Sequence, residues 1–117
     1  MIEATCHCGA VRIEVPAAPE AVTSCNCSIC RRLALRMSYY NPVDVTVHGA
    51  TDSYQWGDKS LAFHRCKACG CTTHWSPSDP AADRMGVNAR LMPPEILAAA
   101  RVRRFDGADT WTFLDEV

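Results

Sequence analysis

Residues 61–75 read Leu-Ala-Phe-His-Arg-Cys-Lys-Ala-Cys-Gly-Cys-Thr-Thr-His-Trp, and the fold turns on this stretch. Leu61 and Phe63 lead into Cys66, and Thr73 and Trp75 lead out of Cys71. Spacing of two between apolar residues marks a strand on each side. Between them lies Cys66-Lys-Ala-Cys69-Gly70. A turn of this composition folds back so that both sulfurs and nearby backbone amides face one point, and glycine permits the positive φ that the turn requires. Cys6-His-Cys8-Gly9 repeats that logic near the start of the chain. Two such turns from distant parts of the chain make a four-thiolate zinc site.

Working outward, the same alternation recurs. Val11, Ile13 and Val15 alternate with Arg12 and Glu14, and Val43, Val45 and Val47 alternate with Asp44, Thr46 and His48 until Gly49. Tyr54 and Trp56 precede a Gly57-Asp58 turn, and residues 85–89, 102–105 and 111–113 complete the set of strand signals. Helical signals are short. Ser28 is placed to cap a turn through Ile29–Leu33, and Pro93 or Pro94 to open a helix over Glu95–Ala100. The pattern predicts one all-β domain over residues 1–117 with one or two short helices.

Composition bounds the function. A chain of 117 residues has room for one domain and gains from extra cross-links or bound metal. Eight cysteines supply the means, and the N-terminus reaches Cys6 without the apolar run of a secretory signal. No stretch approaches the ~20 apolar residues of a membrane span. These features predict a cytoplasmic protein whose thiols stay reduced and bind metal. Cysteines two apart, Cys6/Cys8 and Cys25/Cys27, would strain a mutual disulfide but can share one tetrahedral ion. A net charge of -1 offers no long-range attraction for nucleic acid or an acidic membrane, and Arg101-Val-Arg-Arg104 reads as a solvated strand face.

The middle cluster, Cys25-Asn-Cys27-Ser-Ile-Cys30, has three cysteines and no fourth partner nearby in sequence. Three ligands leave one zinc position for water or substrate, and an exogenous thiol there would be held as a thiolate nucleophile. Cys71 as a closing ligand, or three thiols without metal, fit the spacing equally. Arg31 and Arg32 follow directly and are candidates for holding the carboxylates of an anionic thiol, against a reading as a solvated helix face. His7 and His64 neighbour ligands, His74 and Trp75 are candidates to wall the open site, and Asn88 is suited to bond either backbone or substrate.

Cys-His-Cys-Gly-Ala-Val-Arg at 6–12, Cys-Asn-Cys-Ser-Ile-Cys-Arg-Arg at 25–32 and His-Arg-Cys-Lys-Ala-Cys-Gly at 64–70 together resemble the glutathione-dependent formaldehyde-activating enzyme family, which also contains the centromere protein V proteins. Asn88 and Phe105-Asp-Gly-Ala with Trp111 extend the resemblance over nearly the whole chain. It implies two zinc ions per chain, a structural one on Cys6, Cys8, Cys66 and Cys69 and a catalytic one on Cys25, Cys27 and Cys30. It implies zinc-bound coiled β-sheets similar to methionine sulfoxide reductase B. It also implies a carbon–sulfur lyase that joins glutathione to formaldehyde as S-hydroxymethylglutathione, with a small thiol and a small aldehyde as partners. Beside that enzyme stand two other classes: a thiol-binding or protein-interaction module without turnover, and a nucleic-acid-associated zinc protein, which the acidic balance disfavours.

Overall fold

The computed structural model describes residues 1–116; Val117, the last residue of the 1–117 unit expected from sequence, lies outside the described residues. The protein is mostly β with two short helices. A three-stranded sheet has the order β1 (Ile2–Thr5), β2 (Arg12–Val15), β5 (Thr46–His48). A seven-stranded sheet has the order β10 (Arg101–Phe105), β3 (Ala21–Cys25), β4 (Met37–Tyr40), β9 (Met85–Asn88), β8 (Thr72–Pro77), β7 (Leu61–Cys66), β6 (Thr51–Tyr54). All pairs are antiparallel except β10 with β3, which run parallel with Phe105 opposite Cys25. Helices α1 (Cys30–Leu33) and α2 (Pro94–Ala99) are one to two turns long.

The strand signals of β2, β7, β8, β9 and β10 are realised where alternation places them, whereas the Tyr54 and Trp56 signal falls at the end of β6, which stops at Tyr54. Only half of the Val43–Val47 run is strand. Asn41 accepts the Val43 N–H at 3.2 Å and Pro42 fixes its own φ, so residues 42–44 form a 3₁₀ turn and Val43 stands exposed. Helix α1 starts at Cys30 with Ile29 at its N-cap, and among the described residues no side chain caps it; Ser28 does not take the expected role. Pro94 opens α2 as expected. Trp111 and Phe113 form no strand; a single bridge joins Phe113 to Phe105.

The main core lies between the two sheets. Ile13 and Val15 from the small sheet meet Val22 and Val87 from the large one, with Met85, Ala89 and Met92 filling the gap. Period-two alternation then separates the two faces of the large sheet. One face carries Val87, His74 and His64 in register, and the other carries Tyr39, Gly86, Trp75 and Phe63. On the second face the Trp75 indole lies against Gly86, where any Cβ would overlap the ring; a glycine here is what lets the indole reach the sheet. The chain passes from the small sheet to the large one through Gly49, at φ +101 and pressed against the Ala10 carbonyl.

His74 is 5% exposed, and its ring stacks on His64 at 4.2 Å between centroids. His64 in turn clamps three strands, bonding Thr51 Oγ1 on β6 at 3.1 Å and Ser76 Oγ on β8 at 2.7 Å. Burial first, and the His64 charge second, hold the His74 pKa down to about 4 from an ordinary 6.5. The folded state therefore refuses a proton that the unfolded chain accepts below about pH 6.5. The stability this contributes is fully present above 6.5 and is lost as pH falls toward 4, by up to about 3 kcal/mol. Urea unfolding of wild type and His74→Gln between pH 7 and 4.5 should show a steeper acid loss in the wild type. Equal slopes would assign acid lability to other groups.

Candidate metal centres

Two sets of sulfur ligands converge in the structure. Cys6, Cys8, Cys66 and Cys69 bring all four Sγ atoms within 4.8 Å of one another, and Cys25, Cys27 and Cys30 do the same with three. Both sets could hold a metal ion. All eight cysteines are free thiols.

The first set is built by two turns with one design. Cys6 N–H donates to Val11 O at 3.1 Å and Cys66 N–H to Cys71 O at 3.0 Å, each closing a loop of the same length. Gly9 at φ +82 and Gly70 at φ +78 donate back to the carbonyls of Cys6 and Cys66. Val11 N–H points at Cys6 Sγ (3.2 Å) and Cys69 N–H at Cys66 Sγ (3.5 Å), so backbone dipoles favour thiolates. The Cys69 thiol is brought down to about 5, first by the Cys71 N–H and then by the Cys8 N–H. Cys6–Cys8 and Cys8–Cys66 sulfur separations are both 3.7 Å. A tetrahedron with metal–sulfur bonds of about 2.3 Å has an edge of about 3.8 Å, so these donors fit zinc in number, type and spacing. One turn joins β1 to β2 and the other joins β7 to β8, so the set ties the small sheet to the large one.

The second set grows from the end of β3. Cys25 is its last residue, Cys27 sits in the bend that follows, and Cys30 begins α1. Cys27 N–H faces Cys25 Sγ at 3.4 Å and Cys30 N–H faces Cys27 Sγ at 3.5 Å. Burial would raise the Cys27 pKa, but the Cys30 N–H and the neighbouring thiols outweigh it and the net shift is downward. Burial, then the hydrogen bond with Cys27 and the Cys27 charge, pushes Cys30 up. This is the signature of three thiols competing for one negative charge, which a cation would relieve. Among the described residues no fourth Cys, His, Asp or Glu ligand joins the group. Cys71 lies elsewhere: it packs on the main core, takes the His7 N–H, and feels Cys69 and Cys6.

Other residues singled out from sequence are placed as follows. Trp75 packs with Cys30 in a cluster that holds Leu35, Met37, Phe63 and Tyr39. His74 is on the opposite face, and His64 bonds hydroxyls rather than sulfur. Asn88 gives its amide to backbone, donating to Thr72 O (2.9 Å) and accepting from Arg90 N–H (3.2 Å). Arg31 lines a cavity with Cys25 and Cys30, whereas Arg32 donates to Ser28 O at 2.7 Å. Tyr39 was not visible as a site residue in the sequence. Burial raises its phenol pKa, Thr23 and Arg84 partly offset this, and the charges of Cys30 and Cys25 raise it further.

Asn26 and Gly107 appeared in the sequence only within longer strings and not as site residues, because what matters is their meeting. Parallel pairing of β3 and β10 puts the loops that follow them side by side. Asn26 Nδ2 donates to Asp106 Oδ1 (3.0 Å), its Oδ1 accepts Ala108 N–H (3.0 Å), and its own N–H reaches Phe105 O (3.2 Å). This clasp holds the peptide between Cys25 and Cys27 against the Asp106-Gly107 turn. A Cβ on Gly107 would lie 2.6 Å from Cys25 Sγ. Gly107→Ala should therefore leave the fold intact but weaken metal binding at the second set about 10–100-fold. Cobalt titration followed through thiolate charge-transfer bands checks this; two sites of wild-type affinity in the variant would refute it.

Comparison with known proteins agrees with this geometry. A Rhodobacter sphaeroides protein of known crystal structure aligns with a TM-score of 0.71 and 32% sequence identity, covering 86% of this chain and 99% of that one. The family model for the glutathione-dependent formaldehyde-activating enzyme matches residues 1–104, which include every cysteine. The chain therefore belongs to the glutathione-dependent formaldehyde-activating enzyme family.

Proposed function

We propose that the protein is a zinc-dependent carbon–sulfur lyase that joins glutathione, or a closely related thiol, to formaldehyde and cleaves the adduct in reverse. Zinc on Cys6, Cys8, Cys66 and Cys69 would be structural, and zinc on Cys25, Cys27 and Cys30 catalytic, within one domain over residues 1–117. The observation that carries the reading is the second set: three convergent sulfurs with no fourth ligand among the described residues. Bound there, zinc supplies a Lewis-acid seat that lowers the pKa of an incoming thiol.

The chain's own residues do the rest. In the forward direction the thiol sulfur bonds to the carbonyl carbon, the carbon–oxygen π bond breaks, and the thiol's proton ends on the new hydroxyl. Cys25, Cys27 and Cys30 fix where the sulfur sits, and backbone amides hold the sulfurs of Cys25 and Cys27 in place. Leu35, Phe63 and Trp75 make the neighbouring wall apolar, which excludes water that would hydrate the aldehyde. Tyr39, on the same wall and with its pKa raised, keeps its proton at neutral pH and is the donor nearest in kind to what the developing alkoxide needs. Eight free thiols suit a reducing, cytoplasmic setting. Among the described residues no helix is long and apolar enough to cross a membrane.

The two sites should respond differently to loss of one ligand. Binding at a structural zinc is often about 10–16 kcal/mol, as large as the whole stability of a domain, so Cys66→Ser should leave no soluble folded protein. Cys27→Ser should lose about one zinc equivalent while the β-rich circular dichroism spectrum persists, since its ligands close no long loop. A folded, fully metallated Cys66→Ser protein would contradict the structural role.

Activity has its own test. Glutathione should change the thiolate charge-transfer bands of the cobalt protein, and carbon-13 exchange spectroscopy should show faster interconversion of formaldehyde and S-hydroxymethylglutathione with wild type than with Cys27→Ser. A changed spectrum without accelerated exchange would make the protein a thiol-binding module. No spectral change with any thiol would sink the open-site reading.

A further inference from the structure

Arg31 and Arg32 are neighbours in sequence with different surroundings. Arg32 closes its own helix on Ser28 O, while Arg31 faces a cavity of about 320 Å³. Cys25, Cys30, Arg31, Arg36, Arg104 and Phe105 form much of the cavity wall, and no Asp or Glu is among its described lining residues. Two of the three cysteines of the second set thus share a wall with three arginines. The volume is at the small end of the ~300–1,000 Å³ range of ligand pockets, the size for a molecule of a few residues.

The three arginines are not equivalent. Arg104 already holds Asp115 through a two-pronged contact, with Nε to Oδ2 at 2.8 Å and Nη2 to Oδ1 at 2.5 Å. Arg31 and Arg36 have no acidic partner among the described residues. Arg36 is half-buried, and a single nitrogen makes its protein contacts: Nη1 donates to Ser24 Oγ (3.0 Å) and to Leu35 O (3.1 Å). That leaves Nε and Nη2, the other edge of the fork, without a protein acceptor among the described residues. Behind it, Arg90 is fixed by Nε on Ala34 O at 2.5 Å, close enough for its charge to act on Arg36. Three thiolates around a divalent ion leave one negative charge, which balances one of these cations and not the group of them. A half-buried, pre-oriented guanidinium beside another cation is stabilised when a carboxylate arrives.

From these observations we infer that the cavity receives the carboxylate end of the thiol substrate, gripped by Arg31 and Arg36, with its sulfur directed to the wall formed by Cys25 and Cys30. The inference rests on the thiol chemistry proposed above and adds its specificity: the site selects a carboxylate-bearing thiol of small-peptide size over neutral thiols. Arg36, five residues beyond the obvious pair's first member, is the principal specificity residue, and Arg32 is outside the grip.

The test titrates the cobalt-substituted protein with glutathione, glutathione diethyl ester and 2-mercaptoethanol, reading the thiolate charge-transfer bands. Wild type, Arg36→Met, Arg31→Met and, as a distant control, Arg12→Met are compared. Charge-assisted hydrogen bonds of this kind correspond to about 10–100-fold in affinity. Each of the two cavity variants should weaken glutathione by about that factor, leave 2-mercaptoethanol unchanged, and abolish the wild type's preference for glutathione over its diester. Arg31 is exposed on a one-turn helix, so its variant remains informative even if Arg36→Met folds poorly. Unchanged glutathione midpoints in both variants, or an equal loss for 2-mercaptoethanol, would overturn the inference while leaving the thiol chemistry standing. A wild type whose bands respond to no thiol would remove the functional reading itself, and this inference with it.

Discussion

Four sulfurs meet where the hairpin β1–β2 of one sheet reaches the hairpin β7–β8 of the other. Each sheet alone has one apolar face and must cover it. Ile13, Val15, Val22 and Val87 do cover it, all essentially without exposure, but a chain of this length buries only about two thirds of its unfolded surface. The apolar contact sets which faces meet. The sulfur cluster adds what a small apolar core lacks, a directional constraint that fixes the two hairpins at one distance. Both turns achieve this by the same means, a glycine at positive φ and amides aimed at sulfur.

From that frame the two faces of the large sheet take separate duties. Strand β8 shows the division within two residues: His74 turns to the sheet–sheet core and stacks on His64, while Trp75 turns outward to the wall that also holds Cys30. The three-sulfur cluster is thus separated from the four-sulfur one by the thickness of a sheet. It sits where loops follow two parallel strands, the position at which side chains from separate parts of a chain are most readily brought together without disturbing a ladder of hydrogen bonds.

Much of this was legible in the residues. The Cys-Gly turns were readable as ligand turns, the family resemblance paired them, and alternation named five strands. What escaped did so for definite reasons. Strands β3 and β4 lie inside the large sheet with both faces covered, so Thr23 and Ser38 are buried where alternation would put them in solvent, and Ser38 donates to Val87 O instead of water. The Val43 end of its run lost to a local bond from Asn41. In the site, ligand spacing is a local signal and was readable. Tyr39, Asn26 and Arg36 are ordinary residues whose meaning comes from who stands opposite, and Gly107 stood out only inside the Phe-Asp-Gly-Ala string that extended the resemblance. Nothing local separates Arg31 from Arg32; only the cavity does.

The parallel pairing of β3 with β10 carries a consequence for the order of events in time. Asn26 and Asp106 are 80 residues apart in the chain, and the clasp between them exists only once the last strand has docked. The ligands of the second set lie close together in the chain, but the turn that holds them belongs to a distant segment. Closing so long a loop adds little to the equilibrium cost yet slows the search, since contacts distant in sequence form late. During folding the three neighbouring thiols are therefore together before the turn that supports them arrives. The turns at Cys6 and Cys66 close locally and do not wait for that segment. Where the partner strand lies along the chain thus sets an order for folding, with the local turns first and the support of the three-sulfur set last.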